Sequence, residues 1–458
     1  MDIKLRDIVR VCNAKIVFGE EDIVCKNFSK DTRTIQKDDV YVGIKGENFD
    51  GNTLYENALE KGAKVCILQA IEISEEIKNK YLDRAIILVN DTIEALQKIA
   101  SYKRDLYNIP VIAITGSVGK TSTKDIIASV VGTSFKVLKT QGNLNNHIGL
   151  PLTILGLKDH NALVVEMGMN NLGEISVLSK IAKPNIAVIT NVGTSHIGNL
   201  GSRENILKAK LEIIDGLKEN GVLIINNDND LLHIWSENKK INQNIKIFTY
   251  GIDNESDLIA KNIELKEDSS EFNVNSEKIL VPVGGLHFVY NALSAFSVGK
   301  ILGIDEEKIK EGIKKFELTK SRMELINLPN NIIVINDCYN ANYDSMKAAI
   351  EYLSKTNANR KIAVLGDMLE LGEFSNELHE KVGNEVINNK IDILVTVGEM
   401  AKTISSVAKK SNIKTYHCEN NVNAIEIIRN FMKKDDIILI KASNGMKFKE
   451  IVEGLKMN

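Results

Sequence analysis

Residues 111–124 read VIAITGSVGKTSTK, a short apolar strand that runs into a glycine-punctuated turn and then into Lys120, Thr121 and the start of a helix. Strand, turn and helix in that order make a phosphate cradle. Gly116 and Gly119 permit positive φ and close backbone approach, and the amides ahead of the helix, with its dipole behind them, favour an anion. Lys120 brings positive charge to the terminal phosphates, and Thr121 an oxygen for magnesium. The general phosphate-loop template has glycine where this chain has Ile114, so the match is to a shorter variant, GxxGKTS. The expected ligand is ATP or GTP, held by Gly116, Ser117, Val118, Gly119, Lys120, Thr121 and Ser122.

Outward from the cradle, strand-like runs alternate with helical stretches. Between Val111 and Phe316 the runs VIAIT, ALVVEM, IAVITN, GVLIIN and IKIFTY predict a mostly parallel sheet wound with helices. From Glu317 a second set, IIVIND, KIAVLGD, DILVTVG and DDIILIKA, predicts another doubly wound sheet. Before the cradle, VYVGI and KVCILQ, with helix signals at 52–61 and 93–107, predict a small α/β unit closed by Pro110. The expected fold is therefore α/β in three domains: a small N-terminal α/β domain (1–108), a central P-loop parallel-sheet ATPase domain (109–316) and a C-terminal Rossmann-like domain (317–458). The polar stretch from Lys261 to Lys278 reads as an exposed hairpin.

Length and composition agree with that division. A chain of 458 residues is long enough for three cores. Its net charge of −3, from 58 basic and 61 acidic residues well interspersed, gives no electrostatic footprint for nucleic acid or an anionic membrane. The five cysteines are odd in number, scattered and never spaced C-x-x-C, which argues for a reducing compartment and against a disulfide scaffold or structural zinc. Residues 1–19 mix charge into every turn with no apolar h-region, and no later run approaches a membrane span. A cytoplasmic enzyme acting on small molecules is expected.

Several side chains fall at the carboxyl ends of predicted strands, where an open parallel sheet presents its ligand crevice. Glu166 ends ALVVE and is placed to complete magnesium coordination with Thr121. His196 lies in the loop VGTSHIGNLGS. Lys210, in ENILKAKLEII, reads from the residues alone as part of a solvated helix face with Lys208 and Lys218. In TQGNLNNHIGLPLTIL the amides of Asn143, Asn145 and Asn146 suit a phosphate or polar substrate, and a well-bonded loop almost equally well. In NDCYNANYDS, Asp337, Tyr339, Asn340 and Asn342 are candidates for gripping a ribose or a second substrate, with a turn and an Asx cap as the even alternative.

The ordered set TGSVGKTSTK, GNLNNHIGLPLTIL, EMGMNNLGEI, NVGTSHIGNLGSRENILKAKLEI, NALSA, NDCYNANYDSM and GDMLELGE resembles the Mur ligases of peptidoglycan synthesis over essentially the whole chain. GNLNN, YNAN and GDMLELGE are features of the branch that joins D-alanyl-D-alanine to UDP-N-acetylmuramoyl-tripeptide. The resemblance implies that ATP phosphorylates the tripeptide's terminal carboxylate and that the dipeptide amine attacks the acyl phosphate. It implies two magnesium sites, one on Thr121 and Glu166, the other on His196 and a carbamylated Lys210, an ammonium being unable to ligate a cation. Lys120, His196 and Lys210 are the implied catalytic set. Asn291 matches the asparagine at the adenine, Arg322 an arginine facing the phosphates, and Asp337 falls on the nucleotide side. In the first domain Ser29, Thr32, Arg33 and the run Phe49, Asp50, Gly51 match a segment that holds the UDP-sugar end; Asn143, Asn145, Asn146, Tyr339, Asn340 and Asn342 are left to the peptide substrates. The enzyme is expected to be a monomer.

The chain departs from the pattern at Phe288, where many relatives have asparagine, at Ser321, usually glycine, and at Asn171, often histidine. The ligase that adds the third peptide residue carries an Asp-Asn-Pro-Arg string that is lacking here, and a folylpolyglutamate synthase is a further alternative. An inactive nucleotide-binding regulator is a rival of another class, weakened because Lys120, Thr121, Glu166, His196 and Lys210 are all retained.

Overall fold

A computed structural model describes residues 2–238 and 244–456. Beside a two-stranded antiparallel pairing of Ile3–Lys4 with Val24–Cys25, three larger sheets follow one another along the chain. The first takes strands from Lys15–Phe18 to Ala85–Leu88, five in all, with only the Lys15–Phe18 edge antiparallel. The last takes six, from Glu324–Leu328 to Lys414–Cys418, again with one antiparallel edge. Between them lies a nine-stranded sheet whose parallel part is ordered Leu258–Leu265, Lys246–Gly251, Val222–Asn226, Ile186–Ile189, Val111–Thr115, Ala162–Glu166, Val137–Lys139.

The central strands are buried on both faces, as parallel strands covered by helices must be, and every residue of Val111–Thr115, Ala162–Glu166 and Ile186–Ile189 is buried. Helix Lys120–Val131, which leaves the cradle, packs against helices Leu286–Ile301 and Glu306–Lys314. Successive strands depart to opposite sides of Val111–Thr115, so the chain reverses its winding at that strand, and the crevice at its carboxyl end is where such sheets bind ligands.

The stretch expected as an exposed hairpin is instead part of the core sheet. Leu258–Leu265, Ser270–Val274 and Glu277–Val281 pair antiparallel, and Phe272, Val274, Ile279 and Val281 are buried beneath the helices. Alternation at a period of two hides one face, while the polar residues that suggested exposure occupy the other. Among the described residues no helix is long and apolar enough to cross a membrane.

Candidate active site between two sheets

The cradle is braced from the neighbouring strand. A Cβ on Gly116 would lie 1.9 Å from Thr190 Oγ1, so only glycine lets the loop pass this close. Thr190 Oγ1 donates to the Val118 carbonyl at 2.7 Å, while Asn191 Oδ1 accepts from the Val118 amide at 2.9 Å. Gly119 precedes the helix at φ +82°. Lys120 Nζ folds back onto the Gly116 carbonyl at 2.8 Å, and burial pushes its pKa below the ordinary lysine value, partly offset by Glu166 and reinforced by Arg322.

Thr121 is the hub of the site. Its hydroxyl donates to Glu166 Oε2 at 2.9 Å and accepts from Arg322 Nη2 at 2.8 Å, joining the central domain to the turn that leads into strand Glu324–Leu328. Glu166 is 2% exposed, and its other carboxylate oxygen accepts from Asn145 Nδ2 at 2.8 Å. Thr121 and Glu166 thus offer one hydroxyl and one carboxylate; among the described residues no group of three or more His, Cys, Asp or Glu converges. Such a pair suits magnesium, which fills its remaining positions with water and phosphate oxygens rather than with a protein cage.

Lys210 corrects the expectation of a solvated face, because it is fully buried. Helix Arg203–Leu211 turns Lys208 outward and Lys210 inward, behind Glu166 and Glu174. Its Nζ has no hydrogen-bond partner, and desolvation, then the charge of Lys120, hold its pKa well below the ordinary value against the pull of Glu166, Glu212 and Glu174. A buried amine that sheds its proton is the form that reacts with carbon dioxide, so this residue fits carbamylation. His196 stands on the cleft wall at φ +62°, its Nδ1 2.8 Å from Glu370 Oε2, and holds the Glu370 carboxyl below its usual value.

The C-terminal sheet supplies the facing wall. Arg322 stacks on the Tyr339 ring, 4.0 Å from its centroid. From helix Leu286–Ile301 of the central domain, Asn291 Oδ1 accepts from Thr123 at 3.0 Å, leaving its buried Nδ2 without a hydrogen-bond partner. Asp337 accepts from the Met323 amide at 3.2 Å and pairs with Lys441 at 2.5 Å. Asn342 caps helix Tyr343–Lys355 by accepting from Ser345 N at 2.8 Å, and its amide also reaches Ser195. Asp344 takes both the amide and the hydroxyl of Thr194, at 2.7 and 2.9 Å. These contacts close a cleft of about 480 Å³ that includes Asn143, Asn145 and Asn146. Asn146 Oδ1 accepts from the Gly149 amide at 2.8 Å just ahead of helix Gly149–Leu155, so the loop is well bonded while its amides line the cleft.

The N-terminal candidates lie apart from this cleft. Ser29 Oγ accepts from the Asp31 amide at 3.1 Å, Arg33 pairs with Asp31, and the Thr32 carbonyl accepts from Lys61 Nζ at 3.0 Å. Asp50 accepts from the Asn52 amide at 2.9 Å, the Gly51 carbonyl accepts from the Tyr41 hydroxyl at 2.7 Å, and Phe49 is 58% exposed. Of the three departures, Phe288 is core against Phe316, Asn171 holds Glu174 at 3.0 Å, and Ser321 sits at φ +62°, a conformation glycine takes without cost. Sequence reasoning missed Thr190, Asn191, Asp344 and Lys441. Lys441 ends a predicted strand, the same positional signal that selected Glu166.

Three family models match the chain: the Mur ligase family catalytic domain over residues 26–104, the Mur ligase middle domain over 114–299 and the Mur ligase glutamate ligase domain over 321–444. The chain is 39% identical over 442 residues to the UDP-N-acetylmuramoyl-tripeptide--D-alanyl-D-alanine ligase of Bacillus subtilis, covering 95% of this chain and 94% of that one. A crystal structure of MurF from Acinetobacter baumannii superposes with a TM-score of 0.90 at 29% identity, covering 100% of this chain and 99% of the other. MurF from Thermotoga maritima, solved in complex with ADP, superposes with a TM-score of 0.81 at 28% identity over 94% of this chain and 97% of the other. By sequence, by domain order and by the three-sheet architecture around this cleft, the chain belongs to the Mur ligase family.

Proposed function

We propose that this chain is the ATP-dependent ligase that joins D-alanyl-D-alanine to the terminal carboxylate of UDP-N-acetylmuramoyl-tripeptide, giving the UDP-linked pentapeptide precursor of peptidoglycan. The observation that carries the reading is the Thr121 hub, where a phosphate cradle, a buried carboxylate and an arginine from the turn ahead of the C-terminal sheet meet in one cleft. The B. subtilis and A. baumannii proteins of that activity, similar over nearly the whole chain, support the choice of substrates.

Transfer of a phosphoryl group to a carboxylate brings two anions together, and positive charge must stand between them. Lys120 and Arg322 bring that charge to the phosphates, the former from the cradle and the latter across the domain boundary. Glu166 and Thr121 would hold one magnesium ion; His196 and Lys210, as a carbamate, a second. Bound there, the ions neutralise charge on phosphate and carboxylate oxygens. Asn291 and Asp337 address the base and ribose. Ser29, Thr32, Arg33 and Phe49 to Gly51 hold the uridine end, while Asn143, Asn145, Asn146, Tyr339, Asn340 and Asn342 face the peptide substrates. The walls joined through Asp344 and Asn342 exclude water from the acyl phosphate, which would otherwise hydrolyse. In this reading residues 1–108, 109–316 and 317–458 are the uridine-substrate, ATP and dipeptide domains of a cytoplasmic monomer.

The test is ATP-dependent phosphate release with UDP-N-acetylmuramoyl-tripeptide, with and without D-alanyl-D-alanine, with the product followed by mass. Release that requires both substrates and yields the pentapeptide is expected. ATP binding without ligation of any tripeptide would overturn the substrate assignment.

A further inference from the structure

Lys441 is a buried cation at the cleft that neither the phosphate cradle nor the expected metal sites use. It ends strand Asp436–Lys441, which runs between Ile332–Asn336 and Arg360–Gly366, and it is 2% exposed. Asn336 pairs with Ile440, and the Asp337 amide donates to the Ile440 carbonyl at 3.0 Å, so Asp337 and Lys441 meet just past the ends of adjacent parallel strands. Lys441 Nζ donates to Asp337 Oδ2 at 2.5 Å, to the Asn340 carbonyl at 3.0 Å and to the Asp337 carbonyl at 3.5 Å. An ammonium has three protons, and all three are spent on one four-residue segment.

That segment governs Arg322. Asp337 Oδ1, on the far side of the carboxylate from Lys441, accepts from the Met323 amide at 3.2 Å, and the Tyr339 amide donates to the Ser321 carbonyl at 3.2 Å. The Tyr339 ring forms the platform on which the guanidinium lies. Arg322 needs such support, because its neighbours Ser321 and Met323 both sit at positive φ, +62° and +51°, a backbone that does not hold itself.

We propose that Lys441 is a positioning residue for ATP: by clamping the 337–340 segment it holds Arg322 against Thr121, across the boundary between the two sheets. The inference rests on the reading of Arg322 as a phosphate-facing residue. Without the clamp, the loop from Ser321 to Met323 loses its anchor, and the arginine no longer meets the cradle in a fixed place.

The test is a double-mutant cycle on the full-length enzyme with Lys441→Met and Arg322→Ala, reading the KM values for ATP and for D-alanyl-D-alanine and the far-ultraviolet circular dichroism. Lys441→Met is expected to raise the KM for ATP about tenfold while that for the dipeptide moves less than about twofold, and to add little in the Arg322→Ala background, because both changes remove the same contact. Additive costs in a folded double variant, or an unchanged KM for ATP in folded Lys441→Met, would overturn the proposal. Should Lys441→Met not fold, Lys441→Arg, which keeps the charge but displaces the donors, takes its place in the cycle, and additivity or an unchanged KM for ATP again overturns the clamp. An Arg322→Ala enzyme with normal affinity for ATP would instead refute the reading of Arg322, a different failure from additivity.

Discussion

The central cleft and the first-domain segment proposed to hold the uridine end are built in opposite ways. In the cleft, Thr121, Glu166 and Arg322 come from places up to 201 positions apart in the chain and are tied to one another, with Glu166 2% exposed and Lys210 fully buried. In the first domain, Ser29, Arg33 and Asp50 bond to residues within five positions, the Arg33 side chain is 86% exposed, and Phe49 stands 58% exposed. A site that must stabilise developing charge has to be organised and partly desolvated beforehand. A site that only grips a large substrate can leave its apolar and charged handles in water and gain from covering them on binding.

Breaking the cleft should therefore cost catalysis, and breaking the first-domain segment should cost binding. The largest effect is expected from Lys120→Ala, with turnover falling about a thousandfold or more while circular dichroism is unchanged, since one cation at the transferring phosphoryl group is worth that much. Lys210→Ala is expected to lose activity by two orders of magnitude or more, roughly the value of a charge-stabilising group, and to regain part of it with added short carboxylates. Full activity of Lys210→Ala without additives would remove the second metal site.

Lys210 also separates function from stability. Because its folded pKa is depressed, the unfolded chain binds the extra proton between that value and the ordinary 10.5, so stability rises with pH across that window. In buffer depleted of carbon dioxide, Lys210→Met should therefore melt higher than the parent at neutral pH, with the gain shrinking as pH approaches the ordinary lysine value. A pH-independent difference would contradict a deprotonated buried amine.

For the first domain, Phe49→Ala is expected to raise the KM for the uridine substrate about tenfold, the worth of one aromatic covered on binding, with the KM for ATP and the melting temperature unchanged. An equal rise in the KM for ATP would erase the contrast between the two regions. The smallest effect is expected at Ser321→Gly, where relief of the positive φ should stabilise the fold by no more than about 1 kcal/mol, measurable as a small rise in melting temperature. If melting falls instead, the Asn336 contact to the Ser321 hydroxyl at 3.5 Å matters more than the backbone.

Sequence order alone determined the cradle, the parallel central sheet and the strand-end position of Glu166, because these depend on local periodicity and on glycines whose backbone requirement is visible in the string. It also carried the family, since the motifs recur in order along the whole chain. What it could not supply was which polar residues turn inward. Lys210 and Lys208 are alike in a helix of charged residues, and only packing behind Glu166 and Glu174 buries one while the other stays at the surface. Likewise the hairpin after Leu258 read as exposed because its polar face is what the composition shows, while its second face needed the helices above it to be hidden. Arg322 on Thr121, Asp344 on Thr194 and Lys441 on Asp337 join residues 201, 150 and 104 positions apart. The first two are set by how the domains dock and the third by which strands lie side by side in one sheet, and tertiary structure decides them because nothing in a short window of sequence encodes the distance between its ends.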